Sequence, residues 1–235
     1  QFGKGDKYFG ICTMMATMPG LPMFGHGQVE GYTEKYGMEY SRAYRDEDPD
    51  WALVERHERE IFPLMKKRRL FAGAENFLLY DVFVPGEDGY TRRSLDDTGQ
   101  SGGYVNENVF AYSNSDVGEH ALVLYNNAYD HVHGWIGRSS PFAVKDENGN
   151  KDTVTRTLGE GLGLWNDSQW FTVFREHRSG LYFIRNNRDL CEKGLFISLN
   201  GFEYQVFMDF RQMPDTEGGH LSKLAAKYAG AGFQN

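Results

Sequence analysis

The sequence predicts an α/β segment built from βα units of the TIM-barrel type, followed by an all-β antiparallel domain. Three observations predict it. Between Asp6 and Gly31 an apolar helix, a Pro19-Gly20 break, a short apolar run and a glycine-spaced polar turn follow one another. That order is the unit of a (β/α) barrel, whose functional loops follow the C-terminal ends of the strands. From Phe77 the hydrophobic period changes from three-and-four to two. The 28 glycines in 235 residues imply many turns, as an antiparallel domain requires.

Composition sets the outer bounds. A chain that is 40% hydrophobic and 15% aromatic can close a sizeable core. A net charge of −8 at pH 7 argues against a phosphate-backbone partner, so no nucleic acid is expected. No apolar run reaches the roughly 18 residues of a membrane span, so no membrane partner is expected either. Cys12 and Cys191 are far apart, have no metal-ligand spacing, and read as buried thiols rather than a bridge. The chain opens on Gln1 with no initiator Met or signal segment, so it is expected to start mid-protein and its localisation is not readable.

In order, Asp6 is the expected N-cap of a helix with apolar residues at 8, 11, 12, 15 and 18. Residues 21–24 read as a short strand buried on both sides. A polar loop follows, carrying His26, Gln28, Glu30, Glu34 and Tyr36. Asp48-Pro49-Asp50-Trp51 then gives an N-cap, a proline at the first helical position and an acid near the positive helix end. The helix it opens places Trp51, Val54, His57, Glu58, Ile61, Leu64, Met65 and Arg68 on its rows, which makes Trp51 an expected core residue. Pro63 should kink that helix or end its regular part early. Residues 77–84, 109–113, 120–126, 171–176, 180–186, 195–199 and 204–210 read as strands. Asn200-Gly201 is a hairpin signal, since both residues tolerate positive φ. Residues 221–228 read as a short closing helix.

Two stretches carry a resemblance. Met18-Pro19-Gly20-Leu21-Pro22 followed by Gly27-Gln28 resembles the segment around the eighth barrel strand of the α-amylase family of glycoside hydrolases. Glu30 stands one position later than that family's usual acid. Val109-Phe110-Ala111-Tyr112-Ser113 and Ala121-Leu122-Val123-Leu124-Tyr125-Asn126-Asn127 resemble the sheet that follows the family's barrel. The resemblance covers residues 4–30 and 107–127 specifically. It implies that the chain is an α/β fragment (the last βα units of a TIM-type barrel) followed by an all-β antiparallel sandwich. The implied domains are 1–72, the C-terminal end of a (β/α)8 barrel; 73–212, the sandwich; and 213–235, a tail with a short helix.

The resemblance also implies the chemistry. Retaining glycoside hydrolysis needs two carboxylates about 5 Å apart, and in this family they stand on the fourth and fifth barrel strands, upstream of Gln1. Roughly seventy residues cannot close an eight-stranded barrel, which takes about 200 or more. The family's Asn-His-Asp triplet does not occur. The expected function is therefore the C-terminal part of an enzyme acting on α-glucans or related α-linked sugars. The chain alone is expected to be inactive, with no catalytic residue and no cofactor of its own. Its expected partners are an α-glucan or oligosaccharide and the upstream barrel segment of the same protein.

His26, Gln28 and Glu30 are the expected substrate-binding residues, because hydroxyl-rich ligands want side chains that donate and accept. The alternative role for Gln28 and Glu30 is to hold their own loop by hydrogen bonds. His131 and His133 share one face of an extended segment, but no third ligand stands at a recognisable spacing, so no metal is expected. Trp135, Trp165 and Trp170 can stack on sugar rings, although tryptophans in sandwiches more often pack in the core. Glu47-Asp48, Asp146-Glu147 and residues 66–69 read as solvated turns and a solvated helix end. The alternative function is a non-catalytic carbohydrate-binding or scaffold β-sandwich module.

Overall fold

The computed structural model describes residues 3–34, 42–85, 103–145 and 149–234. Tyr36 and Asp146-Glu147 lie outside the described residues. The chain opens with helices α1 (Asp6–Thr17), α2 (Trp51–Glu60), α3 (Phe62–Met65) and α4 (Arg68–Ala72). Strands β1 (Leu78–Tyr80), β2 (Phe83–Val84), β3 (Tyr104–Val105), β4 (Val109–Asp116), β5 (Glu119–Asn126), β6 (Val132–Ile136), β7 (Phe142–Lys145) and β8 (Lys151–Val154) follow. After α5 (Leu158–Gly161) come β9 (Trp170–Glu176), β10 (Tyr182–Asn186), α6 (Asn187–Glu192), β11 (Leu195–Leu199), β12 (Tyr204–Pro214) and α7 (His220–Tyr228).

The described strands pair antiparallel throughout. One sheet runs β1-β4-β5-β12-β9-β10, a second runs β11-β6-β2-β3, and β7 pairs with β8. The sequence of β5 shows how the layers form. Alternate side chains of a strand leave opposite faces. Leu122 and Leu124 point into the space between the sheets, with Leu78, Tyr80, Ile136, Ile197 and Phe207. Ala121, Val123 and Tyr125 point the other way, onto Phe9, Cys12, Ala16, Leu64 and Phe71 of the helices. The result is a helical layer, a central six-stranded sheet and a smaller outer sheet, with one core on each side of the central sheet. β4 and β5 meet at Val117-Gly118, both at positive φ, the two-residue turn whose twist matches an antiparallel hairpin.

Several expectations are corrected. Residues 21–24 form no strand: Leu21 is 90% and Met23 77% exposed, and no described strand lies beside them to take their backbone groups. The barrel unit read there is thus absent from the described residues, of which 3–34 and 42–72 form helices and loops only. α1 is capped by Gly5 without a side-chain bond, because Asp6 is turned to Arg56 at 2.5 Å. α2 starts two residues later than read, with the Asp50 carboxylate accepting from Leu53 N. Trp51 is 66% exposed, since Leu53, His57 and Glu60 form the inward row instead. Pro63 does break the helix, which ends at Glu60 and resumes as α3 with the proline in its first turn. Asn200-Gly201 makes a turn, closed by Glu203 N donating to Asn200 O, but not a hairpin. β11 and β12 belong to different sheets, and the turn carries the chain from one layer to the other.

Candidate functional site

The loop after α1 is built on the buried ring of His57. Nδ1 of His57 lies 2.8 Å from Leu53 O, and Nε2 lies 2.9 Å from the Tyr8 hydroxyl. A carbonyl only accepts, so Nδ1 carries the proton and Nε2 accepts from Tyr8. The Gln28 amide donates to the Tyr8 oxygen at 3.3 Å, and its own oxygen accepts from Gly25 N at 3.0 Å. Gln28, Tyr8, His57 and Leu53 therefore form one directed chain of donors that ties the loop to both helices. Phe9 and Phe24 pack against the imidazole.

Burial sets the protonation of this cluster. It pushes the His57 imidazole below its ordinary value, only partly opposed by the Leu53 bond and by nearby Glu30, so the ring is neutral at pH 7. It pushes the Tyr8 hydroxyl and the Cys12 thiol up. Neither is an activated nucleophile, since activation requires the opposite shift. The cluster is a polar brace rather than a reaction centre.

The three expected binding residues are separated by this arrangement. Gln28 is half-buried and engaged in holding the loop. Glu30 is half-buried, and its backbone oxygen accepts from Asp50 N at 2.9 Å. His26 is exposed at the loop tip, its ring 6.3 Å from that of Tyr32. Gly27 stands at φ +68 where an added Cβ would meet Tyr32, so the turn that presents His26 needs glycine. Glu34 accepts from Tyr44 N and Arg45 N, and Glu47 from Thr33 and Glu34 N. These backbone bonds hold the Glu47 carboxyl below its ordinary value. Glu47 is thus a loop clamp rather than part of a solvated turn.

A second cluster escaped the sequence reading. Glu60, buried, accepts from Arg56 at 3.1 Å, from Arg59 at 3.0 Å and from the Tyr204 hydroxyl. Arg56 also reaches Asp6 and lies 4.0 Å over the Phe9 ring. Burial pushes the Glu60 carboxyl up, but its bonds to Tyr204, Arg59 and Arg56 outweigh that and hold it below the ordinary range. The only sequence signal was the Arg56–Glu60 spacing of four on one helix.

Elsewhere, His131 bonds Ser198 Oγ at 2.9 Å, and its ring lies 5.8 Å from His133. Among the described residues no group of three or more His, Cys, Asp or Glu side chains is arranged to hold a metal. A cleft of about 810 Å³ opens between the edge strands β10 and β11 beside α7. Its walls mix six aromatic rings with aliphatic, small and polar side chains, and its one acid, Asp189, is paired with Lys193 at 2.7 Å.

The class defined by this geometry is an antiparallel β-sandwich with a helical layer braced onto its central sheet. No family model and no curated protein matches the sequence. The fold is similar to part of the α-amylase from Geobacillus thermoleovorans, solved in complex with acarbose. The TM-score is 0.50 at 11% identity, covering 88% of this chain and 33% of that one. Also similar are the maltogenic α-amylase AmyB from Thermotoga neapolitana (TM-score 0.46, 12% identity, 86% of this chain and 36% of that one) and an Anoxybacillus α-amylase (0.45, 11%, 89% and 33%). The chain therefore spans about a third of the length of these α-amylases, and at such identity the likeness is one of fold.

Proposed function

We propose that this chain is the C-terminal part of an α-amylase-family glycoside hydrolase acting on α-glucans or related α-linked sugars. The observation that carries the reading is the fold likeness of 88% of this chain to one third of an α-amylase. The motif resemblance at residues 4–30 and 107–127 supports it from the sequence side. In this reading residues 1–72 close the catalytic barrel, 73–212 form the domain behind it, and the reaction centre lies on the upstream segment. Two features support a missing neighbour. Leu21, Met23 and Trp51 are large apolar side chains left in water, and residues 21–24 pair with no strand among the described residues.

The role left to this chain is to bind and position. His26 and Glu30 would line the sugar cleft from the loop that follows residues 21–24. Gln28 would set their loop from beneath through Tyr8 and His57. The purified chain should not release chromophore from a chromogenic maltooligosaccharide, and adding the upstream segment should restore turnover. Turnover by the chain alone, abolished by mutating one of its own carboxylates, would overturn the reading.

A further inference from the structure

We propose that Trp165, with Trp170 behind it, is a stacking platform for a pyranose ring on the outer surface of the sandwich. It is a polysaccharide-binding site separate from the loop that carries His26. Trp165 is 57% exposed, whereas Trp135 and Trp170 are half-buried. A tryptophan with that much indole in water normally loses hydrophobic stabilisation for no return, yet the backbone that carries this one is bonded on both sides.

Its backbone N donates to Gln212 Oε1 at 2.9 Å. The same Gln212 oxygen accepts from Asn187 Nδ2 at 2.8 Å, and the Gln212 amide donates to Gly163 O at 2.9 Å. Asn187 is fully buried and is itself held by Thr172. On the other side Asp167 N donates to Trp165 O, and Trp170 N to Asp167 O. The Asp167 carboxylate accepts from Gln169 N at 2.7 Å, and Asn186 Nδ2 donates to Ser168 O at 2.7 Å. The loop is thus anchored from β9, β10, α6 and β12 at once. The Trp170 ring backs Trp165 edge-on, with centroids 4.2 Å apart at 72°.

The arrangement suits a sugar for two reasons. A rigid indole offers a flat apolar face at little cost in ordering. The residues that follow it, Asn166, Asp167, Ser168 and Gln169, are all hydrogen-bonding side chains, with Asn166 and Gln169 exposed. Carbohydrate rings present that combination, an apolar face bordered by hydroxyls that donate and accept. Naming α-glucan as the ligand rests on the function proposed above; the platform itself does not.

The test is native affinity electrophoresis of the full chain through gels containing soluble amylopectin or, separately, xylan. The wild type should be retarded by amylopectin. Trp165→Ala should lose about tenfold or more of that affinity, as truncating a central aromatic anchor does. Its melting temperature should stay unchanged, because the lost side chain is mostly in solvent. Trp165→Phe should retain an intermediate retardation, and Trp51→Phe, exposed elsewhere, should run as wild type. If the Ala variant melts early, the Phe variant carries the comparison. Retardation by xylan alone, lost in Trp165→Ala, would sustain the platform and count against the α-glucan reading. Retardation equal in wild type and both Trp165 variants, or none in either gel, would overturn the platform.

Discussion

Gly10 decides how closely α1 lies on the central sheet. A Cβ built there would run into the Tyr125 ring, which is itself buried and bonded to Asn127. The contact leaves no room for even one methyl, because packed interiors do not yield to small overfilling. Gly10→Ala should therefore destabilise the protein by about 1–3 kcal/mol, although alanine is the better helix former by about 1 kcal/mol. At Gly73, by contrast, an added Cβ meets only the end of the Glu75 side chain at 3.4 Å, and Gly73→Ala should be near neutral. Urea denaturation of the two variants checks this; equal midpoints would refute the account. In the sequence Gly10 was only a gap in an apolar row, since its reason stands on a strand far along the chain.

At the scale of elements, the link between α1, α2 and β12 is the group formed by Asp6, Arg56, Glu60 and Tyr204. Glu60 is buried and Arg56 is mostly so, so removing Arg56 leaves the buried carboxylate with the Tyr204 hydroxyl and the mostly exposed Arg59. Arg56→Met should cost about 1–3 kcal/mol at neutral pH, the range for losing a hydrogen bond to a buried charged group. The sign with pH follows from Glu60, whose folded value is held below the ordinary one. Its pairing contributes stability above the unfolded value, about 4.3, and that contribution is lost as pH falls through the folded value. The gap between wild type and Arg56→Met should therefore shrink as the pH is lowered toward about 3; a gap that stays constant would remove the charge from the explanation. This group also explains why Trp51 was misplaced. Hydrophobic spacing put Trp51 on one row with His57, but the inward residues are Leu53, His57 and Glu60, the two polar ones admitted because each has buried partners. β4 and β5 were legible because their period of two continues without interruption up to the turn. α5 and α6 were not, being four and six residues long and set by caps at Thr157 and Asn186 rather than by a face.

At the scale of the molecule, the antiparallel sheets and their central strands were legible, whereas the βα barrel units expected before them are not among the described residues. What no pattern could fix was residues 21–24, because a strand exists only with a neighbour to pair. The two cores differ in what they need. The one between the sheets is made wholly of residues from Leu78 onward. The one under the helices joins Phe9, Cys12, Leu64 and Phe71 to Tyr112, Val123, Tyr125 and Val206. A fragment of residues 73–235 therefore keeps its first core complete and loses half of the second. We expect it to fold, with native-like near-ultraviolet circular dichroism, while exposing one apolar face of the central sheet. That face should bind a hydrophobic dye and promote self-association, as contiguous apolar patches do. Residues 1–72 alone should stay unfolded, because their helices are short and draw their stability from that face. Adding the 1–72 peptide to the fragment should displace the dye and restore the monomer. An unfolded 73–235 fragment would show that the helical layer is part of the same folding unit, and the boundary near residue 72 would then mark a layer rather than a domain.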